Sequence, residues 1–457
     1  MFKDTIAAIS TPLGKSGIGI VRLSGPQSIS IVKKIFSSSK NKDLEKVKTF
    51  TIHYGFIKDP CSDQIIDEVL LFLMRKPHTY TREDVVEISA HGGSFVLRKI
   101  LNLVVREGAR LAQPGEFTLR AFLNGRITLP QAEAVLDIVN AKSEQMLKLG
   151  ISHLLSKNIR SVDNLQKELL EVISVLEAHI EFPEEEIEEI SLGRLQEDVK
   201  KILKEIEEVV EKGERVFSVK EGHKVVVAGR TNVGKSSLVN IFLEEERMIT
   251  SAIQGTTRDV VCEECVIEGV FLKIVDTAGI LTPKDEVEKK ALRKTEQMLN
   301  EADLILLMFD ASSLLEKDDK ILIEKLKDRP LLGVINKVDL PLRVNVEEIK
   351  RKIADVVYIS CKTGEGIDTL KQKIKNKIVL EDISSFEDAV FSLRHIQLLK
   401  KVKMNLEYSL EEIKKKAPLD KILGFLREGY FHLEEIQGKR YTEDVLNTIF
   451  SKFCIGK

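Results

Sequence analysis

The stretch that most constrains the fold of this chain is GRTNVGKSS (229–237), which has the G-x-x-x-x-G-K-S spacing of a phosphate-binding loop. The apolar run HKVVVAG precedes it and predicts a buried strand, and SLVNIFL follows it and predicts a helix. A strand, a glycine-rich turn and a helix in this order are the context that phosphate binding requires. The alternative is a glycine turn that holds no ligand.

Individual residues of this loop have the chemistry needed to hold a triphosphate. Gly229 and Gly234 let backbone N–H groups face the phosphates. Lys235 reaches the β- and γ-phosphates, and the Ser236 hydroxyl ligates Mg²⁺. The loop therefore predicts a nucleoside triphosphate and magnesium, without selecting the base.

Three later segments favour guanine as the base. Asp276-Thr-Ala-Gly279 follows the strand-like VFLKIV, so its aspartate can hold the Mg²⁺ shell and its glycine N–H can contact the γ-phosphate. Asn336-Lys-Val-Asp339 follows PLLGVI, and an aspartate there can accept bonds from both N1–H and the exocyclic amine of guanine. Ser360-Cys-Lys362 resembles the Ser-Ala-Lys element that backs the base in GTPases. In this order the segments predict a Ras-like α/β GTPase domain at 218–379, a doubly wound sheet with its ligand at the strand ends.

Two details concern how such a GTPase would hydrolyse its substrate. Ile280 follows the DTAG motif, where many relatives carry the glutamine that orients the attacking water. GTTRD (255–259) predicts switch I, with Thr257 as the second hydroxyl on Mg²⁺. Asn232 either helps to bind a monovalent cation, which would act as an arginine finger does, or only shapes the loop. Spacing does not separate these alternatives.

Long amphipathic helices are predicted on both sides of the GTPase segment, and they most simply pack into one bundle that the GTPase domain interrupts. The apolar positions at helical spacing are Leu165, Leu169, Ile173, Leu176 and Ile180, then Leu195, Val199, Ile202, Ile206 and Val209, and finally Ile396, Leu399, Val402, Leu406, Leu410 and Ile413.

The first 119 residues predict a separate α+β block, because strand-like runs alternate with helices beginning near Pro26 and Ser94. Arg22 and Glu87 fall on strands that otherwise bury their side chains. They form either a buried ion pair or part of a ligand site, and spacing alone favours the ion pair.

Composition narrows the protein class. The net charge of −2 excludes a protein-wide positive field for nucleic acid, and no apolar run approaches a membrane span. Five cysteines, an odd number, fit a reducing compartment, so a cytoplasmic location is expected. Cys262 and Cys265 form a CxxC on a predicted strand, where residues three apart point to opposite faces, which favours a structural role.

Taken together, the block order resembles the MnmE (TrmE) family of bacterial tRNA-modification GTPases over essentially the whole chain. The N-terminal stretches TPLGKSGIGIVRLSG, YTREDVVEISAHGG and QPGEFTLRAFLNGR carry the resemblance, together with GTTRD, DTAG and the terminal FCIGK. The implied organisation is multidomain. It comprises an α+β N-terminal folate-binding and dimerisation domain at 1–119, a discontinuous helical domain at 120–217 and 380–457, and an inserted Ras-like GTPase domain at 218–379.

The resemblance also implies partners and a reaction. A homodimer would form a heterotetramer with the flavin- and NADH-dependent protein MnmG (GidA) and install an aminomethyl or carboxymethylaminomethyl group on C5 of the wobble uridine of certain tRNAs. The one-carbon unit would come from a tetrahydrofolate derivative, the 5,10-methylene or 5-formyl form. Arg22, Glu87, Arg126 and Lys457 would contact the folate, although the family often has lysine where this chain has Arg126.

For GTP hydrolysis the resemblance implies a potassium ion held by Asn232, Ser251, Ile253 and Thr256, and Glu288 as the acidic residue that orients water indirectly. Potassium would draw two GTPase domains together, and hydrolysis would drive rearrangement at the modification site. Lys235, Glu288 and Cys454 are the predicted catalytic residues. The predicted GTP-binding set is Asn232, Val233, Gly234, Lys235, Ser236, Ser237, Ser251, Ala252, Ile253, Gln254, Gly255, Thr256, Thr257, Asp276, Thr277, Ala278, Gly279, Asn336, Lys337, Asp339, Ser360, Cys361 and Lys362.

Two alternatives remain open beside this interpretation. An RNA-associated GTPase of ribosome assembly would normally carry a dedicated RNA module, which the terminal helices do not resemble. A lipid-anchored switch would use Cys454 in a prenylation box, but Gly456 is not aliphatic and Lys457 is an unusual last residue. The preceding TEDVLNTIFSKF predicts a docked helix capped by Thr442. Cys454 is then either a chemically active thiol or a packed apolar residue.

Overall fold

The computed structural model describes residues 2–38, 43–156, 159–181, 192–246, 262–276, 296–378 and 392–457. The chain divides into two compact units. The first unit comprises Met1–Val139, His153–Glu207 and Gln397–Lys457, and the second comprises Asn140–Ser152 and Glu208–Ile396. The second unit therefore interrupts the first in the sequence.

The regular elements are numbered in chain order. The strands are β1 (Ile6–Ile9), β2 (Ser16–Ser24), β3 (Phe36–Ser37), β4 (Thr51–Lys58), β5 (Ile65–Met74), β6 (Val85–Gly92), β7 (Arg110–Leu111), β8 (His223–Gly229), β9 (Cys262–Ile267), β10 (Val270–Asp276), β11 (Leu304–Asp310), β12 (Leu331–Asn336) and β13 (Val356–Tyr358). The helices are α1 (Ser28–Ile35), α2 (Ser94–Arg106), α3 (Glu116–Leu123), α4 (Leu129–Val139), α5 (Glu144–Leu155), α6 (Arg160–Glu181), α7 (Leu192–Glu221), α8 (Lys235–Glu246), α9 (Lys317–Leu326), α10 (Val346–Lys350), α11 (Ile367–Ile378), α12 (Leu393–Lys414), α13 (Leu419–Gln437) and α14 (Glu443–Phe450).

The N-terminal block is a seven-stranded sheet in the order β3-β4-β5-β6-β2-β1-β7, with α1 and α2 against one face. Its pairs are antiparallel except β1 with β7. Leu71 and Leu73 of β5 and Ile88 of β6 are fully buried and pack in one core with Leu97 and Ile100 of α2. Strand residues between these buried positions face the other side of the sheet, as the period of two requires. The predicted α+β block is confirmed.

The helices before and after the GTPase segment pack together, as their periodicity predicts. A Cβ atom at Gly429 of α13 would lie 3.6 Å from Val402 of α12 and 3.8 Å from Leu169 of α6. Arg427 of α13 also pairs with Glu177 of α6 at 2.7 Å. The discontinuous helical domain is therefore formed by segments that are far apart in the sequence.

The predicted apolar positions of these helices are buried with two corrections. Ile180 is only half-buried, because it lies one residue before the end of α6. In α7, the predicted Val209 is only half-buried, and the next residue, Val210, is buried instead. Because the helix repeats every 3.6 residues, two adjacent residues can both lie at the border of its apolar face. Sequence spacing alone does not show which of the two is buried.

A buried charge network fastens α3 to the N-terminal block. Arg120 is fully buried and donates to Asp4 Oδ1 at 2.9 Å and Glu83 Oε2 at 3.0 Å. Burial opposes ionisation of Glu116, but the Arg110 guanidinium, the backbone N–H of Gln113 and the charge of Arg120 together outweigh it and hold the pKa of that carboxyl below its ordinary value. Because a buried charge is costly without partners, this network fixes the turn that contains Glu83.

The GTPase segment has a six-stranded sheet in the order β13-β12-β11-β8-β10-β9, parallel except for β9. Val225 and Val227 of β8 belong to a core with α8 and α11, whereas Val226 and Ala228 belong to a core with α9. The two cores cover opposite faces, which is why the strands are continuous apolar runs. The predicted doubly wound fold is confirmed. Cys262 is exposed and Cys265 is buried on β9, as the strand period predicts.

Candidate functional site

The loop between β8 and α8 has a backbone that only particular residues tolerate. Gly229 has φ of +147°, and a Cβ there would lie 2.6 Å from the carbonyl oxygen of Met308. Gly234 has φ of +101°, and a Cβ there would lie 2.2 Å from Asn336 Nδ2. Asn232 has φ of +64°, a conformation that asparagine adopts more readily than most residues. The loop is thus closely packed against two neighbouring strands.

The Lys235 ammonium lies inside this loop. Lys235 is buried in the first turn of α8, and its Nζ donates to the carbonyl oxygens of Gly229 at 3.1 Å and Arg230 at 2.9 Å. Together with the N-terminal amides of α8, it makes this end of the helix suited to an anion.

Two side chains from the end of β12 connect the phosphate-binding loop to the rest of the site. Asn336 donates from Nδ2 to Val233 O at 2.8 Å and accepts at Oδ1 from Cys361 N–H at 3.0 Å. Lys337 Nζ donates to the backbone oxygen of Asn232 at 2.9 Å and contacts Asp310 Oδ2 at 2.5 Å. The ends of β11 and β12 and the loops after β8 and β13 are therefore held in one arrangement at the carboxyl edge of the sheet.

The far end of the site is built around Asp339. Ser360 Oγ donates to Asp339 Oδ1 at 2.6 Å, which orients a carboxylate that is otherwise exposed. Burial raises the pKa of the neighbouring Cys361 thiol to about 11, so this thiol is neutral at physiological pH. The geometry leaves carboxylate acceptor capacity for the paired N–H donors of guanine.

These loops enclose a cavity of about 550 Å³, a size typical of small-molecule sites. Its lining residues are Asn232, Gly234, Lys235, Ser236, Ser237, Asn336, Lys337, Asp339, Leu340, Cys361 and Lys362. Ten of these eleven belong to the predicted GTP-binding set; Leu340 was missed.

Part of the predicted GTP and metal set lies outside the described residues: Ser251, Ala252, Ile253, Gln254, Gly255, Thr256, Thr257, Thr277, Ala278, Gly279 and Glu288. For Asp276, the backbone ends β10, which runs parallel to β8 with Asp276 beside Val227. The end of β10 is therefore one strand away from the phosphate-binding loop. Ser236 lines the cavity, and its hydroxyl oxygen is a ligand type that fits a magnesium ion.

Sequence reasoning missed two residues that support the nucleotide loop. Arg230 forms an ion pair with Glu316 and donates to Ser313 Oγ at 3.0 Å. Burial opposes ionisation of Asp310, but the hydrogen bonds from Lys337 and from the side chain and backbone of Ser312 together outweigh it and hold the pKa of the carboxyl below its ordinary value. Asp310 ends β11 directly beside Asn336 of β12, and this position at a shared sheet edge is the signal that could have identified it.

A second cavity, of about 360 Å³, lies in the first unit. Arg22 on β2 faces Glu87 on β6 in register, with 2.7 Å between Arg22 Nε and Glu87 Oε1. The ion pair favoured by spacing is thus confirmed, and it also forms part of the cavity wall. The lining residues are Arg22, Met74, Tyr80, Thr81, Val85, Glu87, Val135, Ile138, Leu154 and Lys457.

The C-terminal tail reaches this second cavity because its backbone is docked. Thr442 caps α14 by accepting from Val445 N–H at 3.3 Å, as predicted. Arg22 Nη1 donates to Gly456 O at 3.0 Å, and Phe117 N–H donates to Lys457 O at 3.2 Å. These bonds hold the tail against β2 and α3, which is unlike a flexible lipid-anchored end.

Two other predicted residues lie near this cavity without lining it. The guanidinium of Arg126 lies 4.8 Å from the centre of the Tyr80 ring, and Tyr80 does line the cavity. Cys454 is exposed, so the alternative of a packed apolar cysteine is wrong. The apolar contacts of the tail come instead from Phe450 and Phe453, which are buried beside it.

Other kinds of site find no support in the described part of the chain. No group of three or more His, Cys, Asp or Glu residues there is arranged to hold a metal ion. None of the helices described combines the length and the hydrophobicity that crossing a bilayer requires.

A doubly wound parallel sheet that carries this phosphate-binding loop defines a Ras-like GTPase, and the comparisons identify its family. Residues 129–454 match the MnmE helical domain, and residues 5–126 match the GTP-binding protein TrmE N-terminus. The chain belongs to the MnmE (TrmE) family of tRNA modification GTPases. The predicted family, the multidomain fold class and the activity, GTP hydrolysis in tRNA modification, are confirmed.

Relatives named tRNA modification GTPase MnmE match over their full length. The protein of Thermoanaerobacter pseudethanolicus is 43% identical, with 100% of both chains covered. That of Carboxydothermus hydrogenoformans is 42% identical with the same coverage, and that of Bacillus pumilus is 41% identical over 99% of this chain and 100% of its own. A solved structure of an Aquifex aeolicus Era variant bound to GDP·AlF₄⁻ is 30% identical over 40% of this chain and 66% of its own, at a TM-score of 0.29.

Proposed function

We propose that this protein uses a potassium-dependent GTPase cycle to install an aminomethyl or carboxymethylaminomethyl group on C5 of the wobble uridine of certain tRNAs. It does so with a flavin-dependent partner of the MnmG (GidA) type and a tetrahydrofolate one-carbon unit. The observation that carries the proposal is the second cavity, where an ion pair on the sheet and the docked C-terminal lysine meet.

The GTP site supports hydrolysis assisted by magnesium. Ser236 and Thr257 would supply hydroxyl ligands, and Asp276 would hold the metal's water shell. The ion would neutralise charge that develops between the phosphates. Lys235 would contact the same phosphates, and Glu288 would orient the attacking water indirectly.

Potassium dependence is supported by Asn232. Asn232 lines the cavity at the phosphate-binding loop, and its backbone oxygen accepts a hydrogen bond from Lys337 Nζ at 2.9 Å. Ser251, Ile253 and Thr256 would complete the oxygen ligands. A cation at this position would stabilise the charge that an arginine finger stabilises in other GTPases.

The second cavity has the donor and acceptor groups that a folate needs. Glu87 can accept bonds from adjacent N–H groups of a pterin, and Arg22 holds this carboxylate in place. Lys457 adds a positive charge in the same wall, and apolar residues such as Val135 and Ile138 provide contact for the rings. The folate would supply the one-carbon unit. Exposed Cys454 would supply a thiol for this chemistry.

The proposed partners follow from what the chain presents and lacks. Its sequence contains no flavin or nicotinamide fingerprint, so the redox step needs a second protein. A homodimer is supported by exposed apolar side chains on β4 and β5, where Tyr54 faces Leu70 in register and Ile52 lies on the same side. The proposed domains are the folate-binding and dimerisation domain at 1–119, the two parts of the helical domain at 120–217 and 380–457, and the GTPase domain at 218–379. The proposed location is the cytoplasm.

Replacing Glu87 with glutamine should weaken the binding of 5-formyltetrahydrofolate by at least about tenfold, because a charged hydrogen bond contributes roughly 1.5–3 kcal/mol. Isothermal titration calorimetry of the full-length protein measures this effect. Glu68→Gln changes an exposed carboxylate on the neighbouring strand β5 and should leave the affinity unchanged. Equal affinities of Glu87→Gln and the wild type, with both proteins folded, would contradict the folate assignment.

A further inference from the structure

Two arginines beside the second cavity have no carboxylate partner among the described residues. Arg82 is exposed, and its Nη1 donates to the backbone oxygen of Asn124 at 2.9 Å. Arg126 is also exposed, and its guanidinium lies over the Tyr80 ring at 4.8 Å. Most other arginines of this block, such as Arg106, Arg110 and Arg120, form ion pairs.

A hydrogen bond between Asn124 and Thr81 connects the segments of both arginines to the cavity wall. Asn124 Nδ2 donates to Thr81 O at 2.7 Å, which joins the segment 80–82 to the segment 124–126. Tyr80 and Thr81 line the cavity, and Arg82 and Arg126 continue these two segments at the surface. The positive charges therefore lie at the edge of the cavity and outside its lining.

The volume and charge of the second cavity indicate which kind of ligand could reach Arg82 and Arg126 at its edge. About 360 Å³ is near the lower end of the range for small-molecule sites, roughly 300–1,000 Å³, and fits ring systems better than a long flexible tail. Inside the cavity, Arg22 is already neutralised by Glu87. The positive charge that remains to attract an anion comes from Lys457 within the cavity and from the two arginines at its edge.

We propose that Arg82 and Arg126 form a subsite for the γ-linked glutamate tail of the folate, so that a polyglutamylated tetrahydrofolate is the preferred form. This inference rests on the proposed folate function of the cavity. Each added glutamate carries one more carboxylate, and the planar guanidinium group binds carboxylates with two parallel hydrogen bonds. A tail leaving the cavity past Tyr80 meets both arginines.

The backbone of Arg82 is consistent with a ligand role. Its φ is +58°, in the left-handed region that residues with long side chains seldom adopt. The turn is closed by a bond from Arg82 N–H to Thr79 O at 3.3 Å. Such strain persists where surrounding structure imposes it, and it is concentrated at ligand sites.

The test compares the full-length wild type with Arg82→Asn, which removes the charge and keeps a residue that tolerates positive φ. Calorimetry would measure affinities for 5-formyltetrahydrofolate with one glutamate and with five. The wild type should bind the pentaglutamate roughly five- to tenfold more tightly, and most of this preference should be lost in Arg82→Asn while monoglutamate binding stays within about twofold. Arg98→Gln, an exposed arginine on α2, is the matched control and should keep the preference.

The outcomes separate the subsite from the folate site. Equal affinity for the two folates in the wild type, or an unchanged preference in Arg82→Asn, overturns the subsite and leaves the folate function intact. Failure of the wild type to bind either folate overturns both. If Arg82→Asn instead weakens only the binding of a tRNA anticodon stem-loop, the two arginines contact RNA and the tail subsite is wrong.

Discussion

Replacing Asp339 with asparagine should change the substrate of this GTPase from GTP to XTP. The Asp339 carboxylate, oriented by Ser360, would accept hydrogen bonds from N1–H and the exocyclic amine of guanine. In the variant, the asparagine amide N–H group would face the exocyclic amine of guanine, and two donors cannot pair. Xanthine has a carbonyl group in place of that amine, so it can accept a hydrogen bond from the asparagine amide. Loss of two charge-assisted bonds should raise the KM for GTP by at least about a hundredfold, and XTP turnover should approach the wild-type GTP rate.

Steady-state hydrolysis of both nucleotides by the purified protein measures this exchange. Asp328→Asn removes an exposed carboxylate after α9, away from the lining residues, and should leave the KM for GTP unchanged. An Asp339→Asn variant that still prefers GTP would show that the base is bound elsewhere.

The second large effect concerns potassium and Asn232. At equal ionic strength, the wild type should hydrolyse GTP at least about tenfold faster in K⁺ than in Na⁺, because the bound cation would stabilise charge in the transition state. Asn232→Gly should abolish this difference. Glycine accepts the φ of +64° and keeps the backbone oxygen bonded to Lys337, so the variant removes the side-chain ligand alone.

The matched control uses another residue with positive φ in the same unit. Glu268 has φ of +51° in the turn between β9 and β10, and Glu268→Gly should preserve the potassium effect. Equal wild-type rates in the two salts would remove the cation mechanism. If Asn232→Gly still hydrolysed GTP faster in K⁺ than in Na⁺, the ion would be held by residues other than Asn232.

The nucleotide site was largely predictable because its residues follow strands that the sequence makes obvious. Fully buried parallel strands such as β8 and β12 are short apolar runs, and polar motifs at their ends must meet at one edge of the sheet. This placed Lys235, Asn336 and Asp339 in a single cavity from their spacing alone.

Supporting contacts were less predictable because they depend on side-chain geometry between segments far apart in the sequence. The pair Arg230–Glu316 joins the phosphate-binding loop to the residue before α9, and nothing in the local pattern marks Glu316 as its partner. The second cavity was also not predictable from local patterns, because it is lined by residues from distant segments: Val135 of α4, Leu154 of α5 and residues of β6. Only long-range packing brings these elements together.

The pair formed by Arg22 and Glu87 shows how two sequence interpretations can both hold. The strand pattern favoured an ion pair, and the register of β2 and β6 produces it. The same pair is only partly covered, and it lines a cavity together with Lys457 of the docked tail. A periodic pattern predicts the face of the sheet on which a residue lies, whereas the space next to that face depends on which distant segments pack there.

Nucleoside mass spectrometry of tRNA tests the central claim, that this GTPase serves wobble-uridine modification. Total tRNA would be compared from cells lacking this protein and from the same cells carrying the wild type or Asp339→Asn. The account predicts that C5-aminomethyl-type uridines disappear without the protein, return with the wild type, and stay depleted with the variant. Unchanged wobble uridines in cells lacking the protein would contradict the assignment, even if GTP hydrolysis were confirmed.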